Sequence, residues 1–143
     1  MTCEVMAWTN ARAVEPCMRH IVTAALLLVG IIHLLPLAGV LGAARLSGLY
    51  GIAVEEPNLE ILMRHRAVLF GLLGAFFCYA AFRPQQQALA LVAGFVSVAS
   101  FLLLAWTVGG SNAQLARVFA ADLLALALLL VGGGAFVYSK ATA

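Results

Sequence analysis

The residues most able to do chemistry stand where a membrane helix should be plain. Arg64, His65 and Arg66 open an apolar run that continues to Phe82, and Glu60 precedes Arg64 by one helical turn. An ionisable group at mid-bilayer costs at least about 2.5–3.5 kcal/mol, less near the interface, so such groups face a bundle interior, pair, or hold a ligand. Two positions apart on a helix, the arginines point about 160° away from each other. They cannot share one role. Below Arg66 lie the large residues Phe70, Leu73 and Phe77; below Arg64 lie Ala67, Gly71, Ala75 and Cys78, with Gly74 beside them. Small residues let membrane helices approach closely. The pattern therefore predicts that Arg64 faces the bundle interior and that Arg66 snorkels toward headgroups. Glu60 and Arg64 also stand in the favourable order for a helical ion pair.

Other polar residues fall at comparable depth. Asp122 lies about 7 Å along the last apolar segment from Arg117, and His33 about 18 Å along the first from Ile21. The Asp122 stripe continues through Ala125, Leu129 and Gly132, again with small residues. Ser97 and Ser100 on the third segment can join them. Two readings follow from Arg64, Glu60, Asp122, His33, Ser97 and Ser100. One is an ion-pair network that fixes helix register, with Arg64 reaching Asp122. The other is a polar pocket, open to the outer face, for a small molecule or for a lipid or quinone headgroup.

The elements that must position these residues are four apolar stretches, at 21–41, 61–82, 88–108 and 118–138. Each is near the roughly 20 residues that cross a hydrocarbon core of about 30 Å. Arg83-Pro84-Gln85-Gln86-Gln87 and Gly109-Gly110-Ser111-Asn112 are short polar turns, and short turns make their flanking helices antiparallel neighbours. Ser111 is the expected N-cap of the fourth span. Gly42–Asn58 is a long first loop, where Pro57 and the acids around it suit a helix start. The fold class expected is all-α, a four-helix transmembrane bundle running up-down-up-down over residues 18–143. Residues 1–17 lie outside the pattern; Met18-Arg19-His20 reads as a fresh start, which makes 1–17 a disordered N-terminal extension. A cleaved signal peptide over Met18–Ala44 is the competing reading of the first span.

Composition agrees. The chain of 143 residues is 64% hydrophobic and 10% charged, against about 45–50% apolar and about 25% charged in soluble domains. A net charge of +2 without a basic run implies no nucleic-acid partner. Cys3, Cys17 and Cys78 form no C-x-x-C pair, and Cys78 reads as a small buried hydrophobe. No metal-ligand set, cofactor motif or catalytic residue is visible. His20, His33 and His65 are isolated, and the H-x-G-H motif of nucleotidyl transferases such as phosphopantetheine adenylyltransferase does not occur.

With Gly30-Ile31-Ile32-His33-Leu34-Leu35-Pro36 in the first span, a long first loop, an Arg-rich second span running into Gly71 and Gly74, and an acid in the fourth, the chain resembles the DoxX-like group of small membrane proteins over about residues 20–138. The resemblance implies a four-helix bundle and, as in some members, association with membrane redox or quinone-linked enzymes. The function favoured is a non-enzymatic accessory or binding subunit. A quinone-linked oxidoreductase subunit and a small-molecule transporter are the alternatives, the latter weakened because the first span carries no acid. The partners expected are the lipid bilayer and either another membrane protein or further copies of the chain. Positive charge is balanced: Arg12, Arg19, Arg83 and Lys140 on one side, Arg45, Arg64, Arg66 and Arg117 on the other. Counting Arg64 and Arg66 as part of the membrane boundary places both termini in the cytoplasm of a bacterial inner membrane.

Overall fold

The structure, a computed structural model, describes residues 3–142, with side chains described from residue 16 onward. Helix α1 spans Cys3–Leu34 and passes into a tighter 3-10 segment, Leu35–Leu41; α2 spans Ala43–Tyr50, α3 Pro57–Ala81, α4 Pro84–Val108 and α5 Ala113–Ala141. Of the expected extension at 1–17, residues 1 and 2 and the side chains up to 15 lie outside the described residues.

Four segments, Pro16–Leu41, α3, α4 and α5, are long and apolar enough to cross a membrane. Their outward faces carry large exposed apolar side chains such as Leu72, Leu104, Trp106, Leu130 and Val131. This is an all-α, multi-pass integral membrane protein. The helices run past the limits expected from hydropathy because α3 and α4, at 25 residues each, are about 38 Å long, more than the hydrocarbon core. Hydropathy marks the apolar part; backbone hydrogen bonding continues through the polar ends.

Helix ends follow local chemistry. Pro36 has no N–H to continue the i→i−4 ladder, and the chain tightens into the 3-10 segment around it. At α3, Glu56 accepts from the backbone N–H groups of Asn58 at 3.0 Å and Leu59 at 2.7 Å, with Pro57 in the first turn. Those two bonds hold the Glu56 carboxyl below its ordinary pKa. The N-cap of α5 is Asn112, not the expected Ser111: its side-chain oxygen accepts from Leu115 N–H at 2.8 Å.

The core centres on α1. Val22, Leu26 and Val29 are fully buried together with Phe77 of α3 and Val98 of α4. Lipid is as apolar as these side chains, so close packing rather than water exclusion holds membrane helices together. Helices α1 and α3 approach closely, so that a Cβ on Gly74 would fall 2.8 Å from the Gly30 carbonyl oxygen. On the other flank of α1, a Cβ on Gly132 of α5 would sit 2.8 Å from the Ala25 Cβ.

The first connection is not a plain loop. Within it α2 buries Leu46 and Tyr50, and Val54 follows, forming a second small core with Leu59, Met63, Leu115 and Val118. Asn112 donates through Nδ2 to the carbonyls of Tyr50 at 2.8 Å and Gly51 at 3.2 Å. Gly51 ends α2 with φ +64°, and a Cβ there would lie 2.7 Å from the Gln114 side chain. The cap of α5 thus also fastens α2.

Candidate functional site

At the end of the bundle carrying α2, the helices leave a cavity of about 310 Å³, whose lining draws on all four spans and α2. Its floor is His33, in the last turn of α1 and 2% exposed. His33 Nδ1 lies 2.9 Å from the Val29 carbonyl. A carbonyl can only accept, so Nδ1 carries a hydrogen, and Nε2 lies 3.4 Å from the Ser97 hydroxyl oxygen. Phe77 meets the imidazole edge-on at 5.0 Å between centroids, and Phe70 lies at 5.6 Å. The ring is locked by two elements besides its own.

Above it stands Arg66, half-buried, its guanidinium carbon 5.0 Å from the Phe70 ring centre and 5.4 Å from that of Tyr50. Cation–π contact with two faces holds it without a carboxylate. Helix α5 contributes Gln114, Arg117, Val118, Ala121 and Asp122, spaced to fall along one face. Asp122 is buried, and the same stripe continues down through Ala125, Leu129 and Gly132. Arg66 and Asp122 both border the cavity, yet among the described residues the only ion pair within 4 Å is Arg64–Glu60. The cavity therefore presents two guanidinium groups and one carboxylate with no ion pair within 4 Å among them, though Arg66 is near enough to act on Asp122 through its charge.

The roles of the two arginines are the reverse of those expected. Arg64 neither faces the interior nor meets Asp122. Its Nη1 donates to Glu60 Oε1 at 3.2 Å on an open face, with the two side chains 47% and 34% exposed. Arg66 does not snorkel outward but lines the cavity. The buried stripe of α3 is Ala67, Gly71, Gly74, Phe77, Ala80 and Ala81, and the arginines lie at its two edges, about 60° and about 100° from Ala67. On the Arg66 edge stand Tyr50 of α2 and the cavity; on the other edge Arg64 is exposed beside Glu60. Small residues mark where backbones touch, and here large rings fill the wider gap beside that seam.

The structure thus brings His33, Ser97 and Asp122 to one end of the interior and leaves Glu60 and Arg64 outside the cavity. Ser100 is exposed, and its hydroxyl donates to the Ser97 carbonyl at 2.9 Å. Sequence reasoning missed Tyr50, Phe70, Arg117 and Gln114 as lining residues. The spacing of Gln114, Arg117, Ala121 and Asp122 was legible; the placement of Tyr50 was not, because it depends on where α2 lies. Cys78 is partly buried with Sγ against Gly30. Comparison with protein-family models, curated proteins and solved structures gives no match.

Proposed function

We propose that this chain is a non-enzymatic binding or accessory subunit of a bacterial inner membrane, related to the DoxX-like group, whose cavity at the α2 end receives a quinone headgroup. One observation carries the reading: a cavity of about 310 Å³ combining aromatic walls at Phe70 and Phe101 with the guanidinium donors of Arg66 and Arg117. Ligand pockets have volumes of about 300–1,000 Å³, mostly apolar, with a few convergent polar groups. A quinone ring supplies a flat face for the aromatic side chains and two carbonyl acceptors for the guanidinium groups. Ile32, Leu35 and Val118 give its tail an apolar path.

In this reading the helices run up-down-up-down, both termini are cytoplasmic, and α2 lies on the outer face. Counting Arg66 with the cavity leaves Arg45, Arg64 and Arg117 on the outer side of the sequence, against Arg12, Arg19, Arg83 and Lys140 on the side of the termini. Reporter fusions at Arg83 and Lys140 should report cytoplasm and one at Gly51 the exterior. Opposite signals at Arg83 and Lys140 would sink the topology.

Binding is tested with the full chain in lipid nanodiscs and a short-tailed ubiquinone, read by calorimetry. Saturable binding is expected, weakened about tenfold by Arg66→Ala and unchanged by Arg64→Ala. Tenfold corresponds to about 1.4 kcal/mol, the scale of one charge-assisted hydrogen bond. Equal weakening by both variants, or no saturable binding, overturns the quinone assignment.

A further inference from the structure

The opposite end of the bundle holds a second, larger cavity of about 770 Å³. Its ionisable lining residues are Arg19, His20 and Lys140, and no acid lines it among the described residues. Lys140 sits with Nζ 5.9 Å from the Phe136 ring centre, at the cavity wall. Deeper in is Gln87, 5% exposed, whose amide donates to the Ala81 carbonyl at 3.2 Å. Thr23 donates to the same carbonyl at 3.0 Å. The Ala81 carbonyl, the last of α3, is therefore satisfied by two side chains.

Helix α4 begins at the same cavity with Pro84, and its N-cap residue Arg83 makes no side-chain cap. The positive end of the helix dipole is left without a carboxylate or hydroxyl partner. Two cationic side chains, a histidine and an uncapped helix start thus converge on one space. Its remaining walls, Val22, Phe82 and Phe136 among them, are apolar and lead into the membrane-crossing part of α1, α3 and α5.

We propose that this cavity binds the phosphate headgroup of an anionic phospholipid, with the acyl chains lying along the apolar walls. The charge selects a phosphate-bearing anion, and the apolar continuation into the hydrocarbon layer selects a lipid over a free ion. Basic pockets between membrane helices are suited to anionic headgroups. This site is independent of the cavity beside His33 and shares no lining residue with it.

The test is native mass spectrometry of the full chain, delipidated in detergent and titrated with phosphatidylglycerol, phosphatidylcholine or inorganic phosphate. Phosphatidylglycerol is expected to bind at least tenfold more tightly than phosphatidylcholine. Arg19→Gln and Lys140→Gln should each weaken it about fivefold, the equivalent of about 1 kcal/mol per basic residue near the surface. Arg19→Lys keeps the charge and should restore binding to within about twofold of the parent, which separates charge from folding. Arg83→Gln is the control: that guanidinium lies over the Tyr79 ring at 5.5 Å and does not line the cavity. Equal binding of the two lipids, or an Arg83→Gln loss as large as that of Arg19→Gln, overturns the site. Displacement of the lipid by millimolar inorganic phosphate overturns the lipid as occupant and makes the cavity a soluble-anion site.

Discussion

The two ends of this bundle solve the problem of polar groups in a membrane differently. At the α2 end the charges are mixed, two aromatic rings hold Arg66, and α2 lines the cavity together with the start of α5. At the end carrying Lys140 the charged lining groups among the described residues are of one sign and lie on exposed side chains, while Gln87 and Thr23 reach inward. The first arrangement fixes the geometry of its groups before any ligand arrives, since His33, Arg66 and Tyr50 each have a protein partner. In the proposed lipid site the second leaves its cations free to follow an incoming anion. A preformed cavity selects by shape; an open cationic one selects by charge. Between the ends runs the Gly30–Gly74 seam, on which both depend.

The largest expected effect removes the comparison altogether. Gly74→Val would push a side chain against the Gly30 backbone and Leu34, with little room for either to yield. Overpacking of this kind costs about 3 kcal/mol at the upper end. Thermal unfolding in detergent should show a large fall, with loss of ligand binding at both ends. A normal melting temperature would mean the seam is looser than described.

Next is His33→Ala, which empties the floor of one cavity alone. The void between Phe70 and Phe77 should cost about 2 kcal/mol. Quinone binding should disappear while phosphatidylglycerol binding persists. Parallel loss of both would show that the two ends are not separable.

The arginine pair sharpens the distinction between a held charge and a free one. Arg66→Ala removes a cation from two ring faces and should cost about 1 kcal/mol. Arg64→Ala breaks only an exposed i,i+4 pair, of about 0.3–0.5 kcal/mol. Reversible unfolding in mixed micelles measures both. A larger loss for Arg64 would restore the assignment that the small-residue stripe favoured.

The smallest effect concerns pH at the start of α3. Glu56 has a folded pKa below its ordinary value of 4.5 because two backbone N–H groups donate to it. Its stabilising contribution is therefore complete above that value and is lost as pH falls through the lower folded pKa. Amide exchange at Asn58 and Leu59 should accelerate in acid, and Glu56→Gln should flatten that dependence. An identical acid response in the variant would assign it to another group.

What the sequence determined by itself was local. Apolar run lengths marked four membrane-crossing segments, because the bilayer imposes a minimum length on each. Pro57 after two acids marked the start of α3, and the spacing of Asp122, Ala125, Leu129 and Gly132 marked the buried face of α5. Glu60 and Arg64 could be paired by counting one turn. Each of these depends on residues within a few positions of one another, where helix geometry is fixed in advance. The tertiary structure decided what lies across a gap. Tyr50 and Asn112 are 62 positions apart, and no periodicity in either segment specifies their contact. The same holds for Arg66: its angle on α3 was readable, but whether lipid or α2 stood opposite was not. The way the short α2 lies across the start of α5 turned the phenylalanine-rich edge of α3 inward and left the glutamate-paired arginine outside.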